Sequence, residues 1–219
     1  MRIPTWLLPL LQGVIVVALP VVLIVSPLYA FVTPAFVRHE YTQPHVPPAE
    51  RFTPSERLRL SDAAVSYLRG RFSREDLAAL RTEGETAFQS REVEHLADVK
   101  RVMDAMRLAH TGALILGALC GLGLWRAGER VRVSAGLTTG VWLTGAALAL
   151  VIISALLDFG TFFTAFHRVF FTSGTWIFDY RDTLIQLYPI AFWMDALWKM
   201  GVAIALEAVV VLIVTRGIV

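Results

Sequence analysis

The sequence has a single cysteine, Cys120, set inside an apolar run. It cannot form a disulfide within the chain, so cysteine usage reveals neither a cross-linked scaffold nor a redox compartment. Charge is scarce as well: Asp, Glu, Lys and Arg make up 17% of residues, and the net charge is only +2. A field that weak gives no reason to expect nucleic acid as a partner. There is no repeat of fixed period, no phosphate-binding glycine loop, no zinc-ligand spacing such as His-Glu-x-x-His, and no nucleophilic serine or cysteine motif. Those absences leave a chemistry whose nucleophile comes from outside the protein. What the chain has in abundance is apolar surface, at 56% of its 219 residues, and most of its charge lies between Arg38 and Arg107.

Two solvents acting on one chain select such a split. A membrane span needs roughly 20 mostly apolar residues to cross about 30 Å of hydrocarbon. Four stretches qualify, at about 6–32, 108–125, 133–157 and 196–215. The fold class expected is therefore an all-α membrane protein with four transmembrane helices. The first stretch could begin as a signal peptide, but its apolar run far exceeds the roughly 7–15 residues of a signal core. Pro9, Pro20 and Pro27 are expected to kink it, since each lacks a backbone donor. Gly112, Gly117, Gly121, Gly136, Gly140 and Gly145 suggest close helix approach in lipid. Glu207 falls well inside the fourth span, where an unpaired charge costs a few kcal/mol. Asp195 and Lys199, four apart near its start, are placed to pair.

Lys and Arg concentrate in short cytoplasmic loops. Arg126, Arg130 and Arg132 crowd the loop between spans two and three, and Arg2 and Arg216 fall on the same side. Both termini are thus expected in the cytoplasm of a cell-membrane protein. Residues 33–107 and 158–195 are then extracytoplasmic, the first mostly helical and the second interfacial.

In the longer outer segment, Pro34, Pro44, Pro47, Pro48 and Pro54 predict extended chain. His39 and His45 there read as solvated loop residues. Thr53-Pro54-Ser55-Glu56 predicts a helix start with a capping box, and Ser73 with Asp76 predicts another. Val93, Leu96, Val99, Val102, Met103 and Met106 recur at helical period in a helix that Ser90 can cap. On its surface His95 and Asp98 are neighbours, so the carboxylate can orient the imidazole. In the second outer segment, His167 lies among Phe159, Phe162, Phe163, Phe166, Phe170, Phe171 and Trp176. Most of these aromatics fit an interfacial belt. An imidazole among them is partly desolvated, which favours its neutral, proton-accepting form. His95 precedes span two and His167 follows span three, so the topology brings both to the same outer face.

Glu94-His95-Leu96-Ala97-Asp98-Val99-Lys100 resembles a segment of the bacterial lipoprotein intramolecular transacylases (Lit). Phe166-His167-Arg168-Val169-Phe170-Phe171, then Trp176-Ile177-Phe178-Asp179 and Asp182-Thr183-Leu184-Ile185, is similar to that family's second signature. The resemblance implies an acyltransferase acting on a lipoprotein whose N-terminal cysteine carries a diacylglyceryl thioether. The sn-2 acyl chain moves to that cysteine's α-amino group, giving the lyso form. It further implies catalytic roles for His95 and His167, with Asp98, Lys100, Trp176 and Asp182 supporting them or binding substrate. No metal or cofactor is expected; the partners are the lipoprotein and membrane lipids. The rival reading is a non-catalytic membrane scaffold whose outer segment holds a partner. A haem between His110 and His167 fits less well, because neither has a facing histidine at matching depth.

Overall fold

The computed structural model describes residues 3–171 and 174–218; Arg2, used above for orientation, lies outside them. Among the described residues four helices are long and apolar enough to cross a membrane, and the chain is a multi-pass membrane protein. They are α1 (Leu7–Phe31), α5 (Ser90–Arg126), α6 (Arg130–Leu157) and α9 (Ile190–Arg216). The remaining elements are α2 (Pro34–Glu40), α3 (Pro54–Leu68), α4 (Arg74–Ala79), the strands β1 (Arg81–Thr82) and β2 (Glu85–Thr86), α7 (Phe159–Phe170) and α8 (Thr183–Leu187).

The chain divides into two compact units, the first made of Met1–Leu28, Met106–Leu157 and Met200–Val219. Leu8, Ile15, Leu124 and Val133 form its buried cluster. Helix α1 runs unbroken through Pro20 and Pro27. It packs where its neighbours carry glycine. A Cβ at Gly117 would lie 3.4 Å from Ala18 Cβ, one at Gly136 3.3 Å from Ile15 Cβ, and one at Gly140 only 2.9 Å from Leu19 Cβ. Gly112 and Gly145 differ from expectation, since nothing lies within 4 Å of an added Cβ at either. Of these six glycines, only those aligned with α1 meet a neighbour within 4 Å of an added Cβ. Gly140→Ala is therefore expected to lower the melting temperature in detergent, at a cost of about 1–3 kcal/mol for overpacking, while Gly145→Ala leaves it unchanged. Glu207, half-buried on α9, makes no hydrogen bond or ion pair among the described residues.

The second unit comprises Tyr29–Ala105 and Asp158–Lys199. Its core gathers Phe52, Leu60, Ala64, Leu77, Phe88, Val93, Leu96, Leu184 and Leu187. The expected capping box of Thr53 with Glu56 is present, and the expected helix start at Ser73 is closed by a box with Asp76 as well. Two local readings are corrected, and one element is new. The proline-rich stretch opens with α2 rather than extended chain, because Thr33 Oγ1 accepts from Phe36 N at 3.2 Å and Pro34 occupies the first turn, where its missing N–H costs nothing. Ser90 begins α5 instead of capping it; the preceding Gln89 N–H is bound by Glu92 Oε2 at 2.8 Å. A hairpin joins β1 to β2 with Thr82 opposite Glu85, and its turn residues Glu83 and Gly84 both take positive φ, at 53° and 86°. That is the twist two-residue hairpins need, and Glu-Gly signals it more weakly than Asn-Gly.

Candidate active site

His95 lies on the buried face of α5, between Glu92 and Asp98 at three-residue steps. His167 is the inward residue of α7, which starts where Asp158 Oδ1 accepts from Thr161 N at 3.2 Å. Because α7 is helical, Phe163 sits one turn before His167; its carbonyl lies 2.8 Å from Nδ1. A carbonyl only accepts, so Nδ1 carries the proton and Nε2 keeps its lone pair. Phe166, Val169 and Phe170, also on α7, are exposed.

The two imidazoles meet. Their centroids are 6.1 Å apart with planes 24° from parallel, and the residues are only 8% and 9% exposed. Phe171 and Phe178 meet His95 edge-on at 5.1 and 5.4 Å. Phe163 and Trp176 cover His167 at 3.9 and 5.1 Å. Burial among these rings pushes the His95 pKa down to about 4, helped by repulsion from His167 and opposed by the Asp98 charge. Burial also lowers His167, against the raising effect of the Phe163 carbonyl. His95 Nδ1 is buried with no hydrogen-bond partner among the described residues. Leaving a buried polar atom unpaired costs about 1–3 kcal/mol, a penalty that a substrate group can relieve.

These depressed values link stability to pH. Between the ordinary histidine value of about 6.5 and about 4, an unfolded chain holds a proton that folded His95 refuses. Stability therefore falls as pH drops through that window, by up to about 1.4 kcal/mol per pH unit for one such proton. Denaturation midpoints at pH 7 and pH 5 are expected to separate in the wild type and to draw together in His95→Gln.

The expected supporting residues are placed unequally. Trp176 covers His167 directly. Asp98 does not hydrogen-bond His95 among the described residues; its Oδ1 pairs with Arg101 and its Oδ2 accepts from Thr175 Oγ1 at 2.9 Å. It thereby ties the stretch bearing Trp176 to α5 and acts on His95 by charge. Lys100 Nζ pairs with Asp104 at 2.6 Å, and among the described residues neither Lys100 nor Asp182 hydrogen-bonds an imidazole. Asp182, 2% exposed, instead accepts from Asp179 N at 2.7 Å, Gln89 Nε2 at 3.0 Å and Arg91 Nη2 at 2.9 and 2.7 Å. Glu92 supports the same corner, its Oε1 taking Leu184 N at 2.7 Å. Its burial raises its pKa against the pull of the Gln89 and Leu184 N–H groups. Glu92, Thr175 and Phe178 went unassigned in the sequence. The only signal was position, since Glu92 stands three residues before His95.

Away from this pair, His110 Nε2 is 3.0 Å from Ser26 Oγ. His45 is exposed in its loop, as expected, with Nε2 3.1 Å from Asp195 Oδ2. Glu40, His45 and Asp195 place one ligand atom each within 4.8 Å of one another. Lys199 Nζ already fills that cluster, 2.5 Å from Glu40 Oε1 and 2.9 Å from Asp195 Oδ2, so it supplies the cation the carboxylates need.

Residues 12–193 match the family of the lipoprotein intramolecular transacylase Lit. A protein of Aquifex aeolicus (strain VF5), described only as uncharacterized, is 29% identical over 166 residues, which is 73% of this chain and 72% of the relative. The membrane integral lipoprotein intramolecular transacylase of Bacillus cereus superposes with a TM-score of 0.76 at 15% identity, over 98% of this chain and 97% of that one. A variant of the same protein with a histidine replaced by alanine gives 0.72 at 17% identity, over 97% and 93%. At such identities the likeness is one of fold, and it extends over nearly the whole chain. With the family match running through both histidines, this chain belongs to the lipoprotein intramolecular transacylase family.

Proposed function

We propose that this protein moves the sn-2 acyl chain of a diacylglyceryl-modified N-terminal cysteine to the α-amino group of the same cysteine, giving a lyso-form lipoprotein. The observation that carries the reading is the pair of buried imidazoles 6.1 Å apart, with no serine or cysteine side chain hydrogen-bonded to either among the described residues. The nucleophile is then the substrate's own amine, whose ordinary pKa is near 8. His167, with Nδ1–H held by a carbonyl, takes the amine proton on Nε2 as the N–C bond forms. His95, kept neutral by burial, donates an N–H to the carbonyl oxygen as charge builds there. The ester C–O bond then breaks, and the proton held by His167 passes to the departing glyceryl oxygen. Ring closure through about eight atoms is floppy, so a walled site adds rate by holding the reactive shape.

The three arginines at Arg126, Arg130 and Arg132 support cytoplasmic termini, which puts the histidines on the extracytoplasmic side. The exposed Phe166, Val169 and Phe170 suit contact with lipid beside the site. A crossover experiment tests the transfer. Two diacylglyceryl lipopeptides, one with heavy acyl chains and one with a heavy peptide, are incubated together with the enzyme. Product in which each peptide keeps its own acyl chain is expected, and heavy chains on the light-acyl peptide's amine would contradict the proposal.

A further inference from the structure

Histidine-assisted attack does not by itself choose the amine. A base able to take a proton from an amine can also take one from water. Attack by water forms a C–O bond at the same acyl carbon, breaks the same ester bond and sends a proton to the same glyceryl oxygen. The products differ: a free fatty acid and a lyso lipoprotein whose amine is still bare, in place of an amide. Since the eight-atom approach of the amine is only loosely organised, something must hold water back.

The rings are placed to do that. Phe171 and Phe178 stand edge-on to His95, and Phe163 and Trp176 lie against His167. Under them, two polar side chains are each less than a tenth exposed. The cover is also fastened from the polar side: Thr175 bonds Asp98 just before Trp176, and Asp179 N bonds Asp182 just after Phe178. Neither Phe171 nor Phe178 has an atom able to move a proton, so neither contributes to the chemistry except by excluding solvent and packing.

We propose that this aromatic cover selects the nucleophile, and that opening it at Phe171 or Phe178 turns the transacylase into a hydrolase of the same ester. The inference rests on the acyl-transfer reading above and adds a second, suppressed activity to it. The test uses the full-length enzyme in detergent with a synthetic diacylglyceryl lipopeptide, and mass spectrometry to quantify N-acyl product and released fatty acid together. Their ratio is read within one sample, so partial unfolding of a variant does not distort it.

Phe178→Ala and Phe171→Ala are expected to raise the share of free fatty acid roughly tenfold or more over wild type. Phe178→Leu, which keeps apolar bulk, is expected to stay near the wild-type ratio. An unchanged ratio in alanine variants that still turn over would overturn the proposal. Loss of both products in Phe171→Ala, Phe178→Ala and Phe178→Leu alike would overturn it too, because the rings would then be required for reaction itself. His95→Ala and His167→Ala separate the two layers: both products vanish if the histidine reading holds, whereas persistence of both refutes that reading.

Discussion

Alanine at His167 is expected to eliminate lyso-form product, with a loss of at least about 10³-fold, while the protein still accumulates in the membrane. Each proton transfer contributes about 10² to 10⁴ in rate, and His167 serves two of them, from the amine and to the alkoxide. His95→Ala is expected to be nearly as severe, since it removes the donor facing the developing oxyanion. The two positions differ in what can replace them. Glutamine keeps an N–H donor but has no basic nitrogen, so His95→Gln is expected to retain more activity than His95→Ala. His167→Gln is expected to be as inactive as His167→Ala. Combining the two alanine substitutions is expected to cost little more than either alone, because groups that act as a unit are strongly non-additive. Initial rates by lipopeptide mass spectrometry, on protein normalised by membrane content, check all of these.

The second large effect is expected at Asp182, far less conspicuous in the sequence. Its carboxylate is almost fully buried and takes four hydrogen bonds, from Asp179 N, Gln89 and Arg91. Removing it takes the acceptor away from Asp179 N, Gln89 and Arg91 together, and hydrogen bonds to a charged group are each worth about 1.5–3 kcal/mol. Asp182→Ala is therefore expected to lower the melting temperature in detergent by roughly 5–10 °C. Phe178, four residues earlier, rests on the same corner, so the lipid product is expected to fall with it. Asp182→Asn keeps an acceptor for Asp179 N and is expected to fall between the two. Differential scanning fluorimetry beside product analysis separates this positioning role from a direct one. A normal melting temperature with normal activity in Asp182→Ala would remove Asp182 from the account.

Much of this was legible in the residues, and the reasons are physical. Hydrocarbon imposes a long, mostly apolar stretch on every span, so the four membrane helices stand out from composition. Caps are local, and the Thr53 box and the Ser73 helix start could be read within four residues. His95 and His167 could be paired because topology alone brings one before span two and the other after span three. Contacts between segments distant in sequence could not be read. Leu184 N meeting Glu92, and Thr175 meeting Asp98, join residues more than seventy apart, and no periodicity encodes such a meeting. The glycines show the same limit from another side: all six suit close packing, yet only those facing α1 meet a neighbour there. Asp98 was legible as a neighbour of His95, but its bond to Thr175, seventy-seven residues on, was not.

The account depends on two neutral imidazoles, brought together under aromatic rings, carrying an acyl chain from oxygen to nitrogen within one substrate molecule. Tandem mass spectrometry of the N-terminal lipopeptide of a co-expressed lipoprotein reads that event directly. With the wild-type enzyme the cysteine is expected to carry an N-acyl group and a monoacylglyceryl thioether, and with His167→Ala a diacylglyceryl thioether and a free amine. A free amine in the wild-type sample, or the N-acylated form at wild-type abundance in the variant, would contradict it.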